Sequence, residues 1–154
     1  AAQPHIKRFF LEDKENGITN FRKVVNISST SGMFGNAGQI NYATAKAGVV
    51  GMAKTMAKEW GRYNVNVNAV GFGLIKTRLT DADAEKEESL IDIEGNKIKV
   101  GVNSAVFQSA KTMIPLGRPG TPQEAAGAIY MFCIPESNYV TGQILMCHGG
   151  GFGY

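Results

Sequence analysis

One stretch of the chain, Asn26 to Trp60, limits the fold more than any other: N-I-S-S-T-S-G-M-F-G-N-A-G-Q-I-N-Y-A-T-A-K-A-G-V-V-G-M-A-K-T-M-A-K-E-W. It starts within an apolar β-branched run (Val24, Val25, Ile27) that ends in Ser28, Ser29 and Thr30. A Gly-rich loop follows, and an Ala-rich helical pattern begins near Asn41. The order is strand, loop, helix. A second short strand pattern, Val65 to Val70, comes after the helix. Strands separated by a long helix point to an α/β fold with a parallel sheet.

Tyr42 and Lys46 stand four residues apart on that helix, so they lie one turn from each other on one face. An ordinary tyrosine loses its proton near pH ~10, and a nearby cation favours the phenolate, which suits a proton donor or acceptor. By itself the spacing is common, and it usually means a solvated lysine beside a half-buried tyrosine. Ser29, at the strand end, could offer a hydroxyl to the same point.

The context is richer than the bare pair. V-V-N-I-S-S-T-S-G, then N-A-G-Q-I-N-Y-A-T-A-K-A-G-V-V-G, resembles the active-site segment of the short-chain dehydrogenases/reductases, especially the 3-oxoacyl-[acyl-carrier-protein] reductase-like members. The resemblance implies an NAD- or NADP-dependent oxidoreductase acting on a small carbonyl or alcohol. Tyr42 is then expected to exchange the proton with the substrate oxygen and Ser29 to hydrogen-bond that oxygen. Lys46 is expected to favour the phenolate and bind the ribose hydroxyls. Gly73, Ile75 and Thr77 in G-F-G-L-I-K-T match the segment that orients the nicotinamide, with Phe72 where the family usually has proline. The family also implies a homo-oligomer packed through the long helix.

The resemblance extends along nearly the whole chain, through I-P-L-G-R-P-G-T-P-Q-E and Y-V-T-G-Q, but over only the second half of the family's fold. The expected architecture is the C-terminal half of a Rossmann-like doubly wound sheet: about three parallel strands with flanking helices, residues 1–154 forming one partial domain. The Gly-rich turn that faces the pyrophosphate is not found. The strand at 24–28 should therefore expose a pairing edge. A second expectation of a different class follows: a catalytically incomplete chain that self-associates or needs a partner.

Charge and composition narrow the alternatives. A net charge of +3, interspersed along the chain, gives no basic stripe for nucleic acid. No apolar run approaches a membrane span and no basic-then-apolar leader is present, so a cytoplasmic location is expected. His5 and His148 lie outside any ligand spacing, and no metal site is expected. Cys133 and Cys147 read as free core thiols in a buried helix and strand.

The remaining segments are read in order. Residues 1–16 form a helix ended by Gly17, and the long helix (about 41–60) is capped by Gly61, with Gly48 and Gly51 allowing close backbone approach. Residues 80–113 carry an acidic run and a hairpin pattern around Gly95–Asn96. The run reads as a solvated helix face, whereas the resemblance makes this segment a lid-like insertion. Thr121-Pro122-Gln123-Glu124 starts a helix running to about Ile134. A last strand is expected at Tyr139–Met146. The Gly-rich tail opens no helix and is rejected as a phosphate loop.

Overall fold

The computed structural model describes residues 3–77, 90–93, 96–99, 109 and 112–151. Helix α1 (Gln3–Glu15) leads into strand β1 (Arg22–Ser29), short helix α2 (Thr30–Phe34), long helix α3 (Ile40–Trp60) and strand β2 (Val65–Phe72). Beyond these lie the strands β3 (Leu90–Ile93) and β4 (Asn96–Lys99), helix α4 (Pro122–Tyr130) and strand β5 (Ile144–Cys147). The main sheet is parallel, in the order β1-β2-β5. The second pair, β3 and β4, is an antiparallel hairpin in a sheet of its own, matching the hairpin expected there; the rest of 80–113 lies mostly outside the described residues.

The alternation of β2 decides the layering. Val65, Val67 and Ala69 are buried against Ala53, Ala57 and Trp60 of α3. Val70, on the other face, packs with Ala128 of α4 and with Phe132. Successive side chains of a strand point to opposite faces, so one helix covers each side.

Asn66 and Asn68 share the α4 face and are buried too, which is costly without partners. Their side-chain amides donate to the carbonyls of Asn138 and Val140, at 3.0 Å each. Lys23 donates to Asn66 Oδ1 at 3.0 Å and to Ser137 Oγ at 3.1 Å, and burial pushes its ammonium below the ordinary lysine range. The segment 138–143 thus bonds to β2 through asparagine side chains.

Those bonds explain one departure from expectation. The last strand begins at Ile144, not at Tyr139. Val67 N donates to Thr141 Oγ1 where a ladder would supply a carbonyl, and Gly142 takes φ of 70°, a left-handed turn. Regular pairing starts only at Ala69↔Ile144.

Other boundaries move as well. α4 stops at Tyr130, and the chain turns through 131–137 before the final strand. Cys133 therefore falls in a turn and is exposed, while Cys147 in β5 is half-buried, with burial raising its thiol. Gly61 is right-handed (φ −53°) and continues into a 3-10 turn; Asn64 (φ 56°) takes the left-handed position instead. Apart from adjacent residues and the helix's own backbone, no atom of the described chain lies within 4 Å of a side-chain position at Gly48 or Gly51, so among the described residues that face of α3 is open.

Candidate functional site

The site forms where β1 meets α3. β1 ends in two buried serines with different tasks. Ser28 Oγ donates to the backbone carbonyl of Lys46 at 2.8 Å, fastening the second turn of α3 to the sheet. Ser29 is the N-cap of α2, its Oγ accepting from Ser31 N at 3.2 Å. A capping hydroxyl satisfies one of the helix's free N–H groups and fixes the exit angle of the strand.

Gly32 brings α2 close to the same turn. A Cβ there would lie 2.7 Å from the carbonyl carbon and the Cβ of Lys46, so only glycine fits. The loop between α2 and α3 is tied by Gln39, whose Oε1 accepts from Ser31 Oγ at 2.9 Å and from Asn36 Nδ2 at 3.0 Å. Asn41 Oδ1 accepts from Tyr42 N at 2.8 Å at the helix entry.

The predicted pair is in place. Lys46 Nζ lies 5.7 Å from the centroid of the Tyr42 ring and donates to the carbonyl of Ile27 at 3.1 Å. Tyr42 is 42% exposed, so its ring is open to a ligand. The structure thus gathers Tyr42 and Lys46 at the end of β1 that carries Ser29. Ser28, Gly32 and Gln39 hold this arrangement and were not singled out from sequence. The doubled serine and the glycine inside the S-T-S-G loop were the available signals.

Gly73, Ile75 and Thr77 form an arm leaving β2. Gly73 N donates to Cys147 O at 3.0 Å, and a Cβ at Gly73 would meet His148 Cβ at 2.6 Å and Thr30 Cγ2 at 3.7 Å. The arm thus passes beside the residue that follows Ser29. Ile75 pairs with Gly120 in a parallel bridge, with Lys76 N donating to Gly120 O at 2.8 Å, and Thr77 is exposed. Phe72 changes the local geometry expected of a proline. With no proline there, β2 stays paired with β1 to Ser29↔Phe72 and with β5 to Phe72↔Cys147.

A second polar cluster lies at the start of α4. Thr121 and Glu124 form a reciprocal capping box, and Arg118 grips Glu124 with two nitrogens at 2.6 and 2.8 Å. The guanidinium, with the backbone N–H of Thr121, holds the Glu124 carboxyl down at about 2. Among the described residues no group of three or more His, Cys, Asp or Glu is arranged to hold a metal ion. No helix among them is long and apolar enough to cross a membrane.

Known proteins resemble this chain over most of its length. The family model described as enoyl-(acyl carrier protein) reductase matches residues 14–151. The 3-oxoacyl-[acyl-carrier-protein] reductase of Thermotoga maritima is 42% identical over 82% of this chain and 44% of its own length. That of Aquifex aeolicus is 38% identical over 84% of this chain and 45% of its own. Among solved structures, a 4-hydroxyisoleucine dehydrogenase complexed with NADH superposes with a TM-score of 0.66 at 23% identity, over 94% of this chain and 51% of that one, a likeness of fold. The chain spans less than half the length of these curated relatives. Taken together, the fold, the β1–α3 junction and the extended sequence match establish that this chain belongs to the short-chain dehydrogenase/reductase family.

Proposed function

We propose that the chain carries the proton-transfer machinery of an NAD(P)-dependent oxidoreductase that reduces a ketone or oxidises a secondary alcohol, in the manner of a 3-oxoacyl reductase. The observation that carries this reading is the Lys46 ammonium 5.7 Å from the Tyr42 ring, at the strand end that bears Ser29. Two hydroxyls and one fixed positive charge suit an oxygen that gains or loses a proton. The same donors fit the ribose end of a nicotinamide cofactor, which supplies the hydride when bound.

In this reading the Tyr42 hydroxyl gives its proton to the substrate oxygen in reduction and takes it back in oxidation. Lys46 stabilises the phenolate oxygen left behind and holds the ribose hydroxyls. Ser29 keeps its α2 cap through one lone pair and directs its O–H to the substrate oxygen. Gly73, Ile75 and Thr77 hold the nicotinamide end. The close fit of Gly73 on His148 supports this, since it sets the direction in which the arm leaves β2. The lid-like insertion expected over residues 80–113 lies mostly outside the described residues, and the open α3 face around Gly48 and Gly51 serves a homo-oligomer.

A second reading has a specific observation in its favour. Among the described residues the main sheet has three strands with β1 at its edge, and the chain spans less than half of its relatives' length. In that reading the chain is catalytically incomplete and needs a partner chain or a second copy. Fluorescence titration with NADH and NADPH separates the two. Saturable micromolar binding supports the first, and no binding up to millimolar cofactor supports the second. With binding established, Tyr42→Phe is expected to lower ketone turnover by about a hundredfold or more while leaving cofactor affinity near the parent's. Equal turnover by the variant sinks the role of Tyr42.

A further inference from the structure

The arm 73–77 is bonded to the rest of the chain at a second place beyond its exit from β2. Gly120 N donates to Leu74 O at 3.0 Å, and Gly120 O accepts from Lys76 N at 2.8 Å, so one residue grips the arm on both sides of Ile75. The approach is close: a Cβ at Gly120 would lie 2.7 Å from Ile75 Cδ1. Ile75 is half-buried, whereas Lys76 and Thr77 are exposed, so burial contributes little to holding the outer arm.

Gly120 is itself held from both flanks by one carboxylate. On its C-terminal side, Glu124 Oε2 accepts from Thr121 N at 2.8 Å. On its N-terminal side, the Arg118 guanidinium donates to Glu124 Oε2 at 2.8 Å and to Oε1 at 2.6 Å, and through Nη1 to Pro119 O at 3.1 Å. A planar fork on a carboxylate fixes direction as well as distance. Residues 118–121 therefore close around Glu124, with both backbone groups of Gly120 turned to the arm.

We infer, on the proposed role of Gly73, Ile75 and Thr77 at the nicotinamide end, that Arg118 and Glu124 are positioning residues for that arm. By closing the 118–121 turn they set where Gly120 stands, and Gly120 sets the direction taken by Ile75 and Thr77. Neither side chain has to touch cofactor or substrate. Without the clamp the arm spends less time in its binding geometry, and affinity for the nicotinamide end falls by the same fraction. Tyr42 and Lys46, carried on α3, stay in place.

The arm is tested first without cofactor. In Glu124→Ala, hydrogen exchange at the Lys76 and Gly120 amides is expected to speed about tenfold, while the Gly73 amide, bonded to Cys147 O, keeps the parent's rate. Arg118→Met leaves the capping box intact and is expected to give about threefold, since the pair is exposed. Thr121→Ala is the control for a merely structural role. It removes the helix cap but keeps both contacts of the Glu124 carboxylate, and is expected to leave Lys76 and Gly120 unchanged. Fluorescence titration follows, with NADH and with reduced nicotinamide mononucleotide, which lacks the adenosine half. Both are expected to bind Glu124→Ala about tenfold more weakly than the parent, and Thr121→Ala as tightly as the parent. Unchanged exchange in a folded Glu124→Ala overturns the clamp. Faster exchange with the parent's affinity for both nucleotides overturns its link to the nicotinamide end, and equal effects in Thr121→Ala reduce it to a loosening of α4. A parent that binds neither nucleotide up to millimolar concentration overturns the proposed function, and the nicotinamide role of the clamp with it, whatever the variants show.

Discussion

α3 and α4 cover opposite faces of one sheet and are held there by different means. α3 has 21 residues and no side-chain cap at Gln39; burial of Ala53, Ala57 and Trp60 on β2 stabilises it. α4 has nine residues, of which only Ala128 is buried, yet it starts with a full capping box, a proline in its first turn and the Arg118–Glu124 pair. A short helix gains little from packing and depends on its ends, whereas a long one is stabilised by its apolar face. The lesson concerns the site. Tyr42 and Lys46 sit in the first two turns of α3, where Gln39 makes no side-chain cap bond, and Ser28, Gly32 and Gln39 fasten that end to β1 and α2.

The strongest way to break this comparison is Gly32→Val. Its side chain meets the backbone of Lys46, so a cost of about 3 kcal/mol is expected in urea unfolding. A cost below about 1 kcal/mol would show that α2 does not press on α3 as described. Val67→Ala attacks the α3 layer at a fully buried position and is expected to cost about 2 kcal/mol, from lost burial plus the cavity left behind.

Smaller effects sharpen the contrast. Thr121→Ala and Ser28→Ala should each cost about 1 kcal/mol, the first by removing a cap and the second by removing one hydrogen bond. Their consequences differ: Thr121→Ala should fray α4 and leave the site unchanged, while Ser28→Ala should speed amide exchange in the first turns of α3. Equal exchange changes in both would remove the distinction between the two helices.

The smallest effect is a pH dependence. Glu124 has an ordinary value of 4.5 and is held at about 2 in the folded chain. A depressed folded value means its contribution is complete above pH 4.5 and is lost as pH falls toward 2. Because the pair is exposed, added salt should shrink the effect. Glu124→Gln is expected to flatten this part of the acid limb in thermal unfolding, and an unchanged slope would remove the pair from the account.

Much of this was legible in the residues. The β-branched runs, the Ala-rich pattern and T-P-Q-E located β1, β2, α3 and the start of α4, because periodicity and capping are local properties. Helical spacing put Tyr42 beside Lys46, and the resemblance of the surrounding segment singled the pair out as a site. The late start of β5 was not legible, because it depends on Asn66 and Asn68 bonding to a segment more than 70 residues away. Gly61 does cap α3, its N–H donating to Ala57 O, but in a right-handed conformation, and the chain turns on through a 3-10 segment to Asn64 before entering β2.

The sequence by itself determined the element types, the α/β order, the extended match to the family and the pair at i and i+4, since each is written in neighbouring residues. Tertiary structure alone decided which serine caps and which one anchors, why residue 32 must be glycine, and where the Lys46 ammonium rests. These depend on α2, α3 and β1 meeting within a few ångströms, and only the folded chain sets a contact between segments so far apart along it.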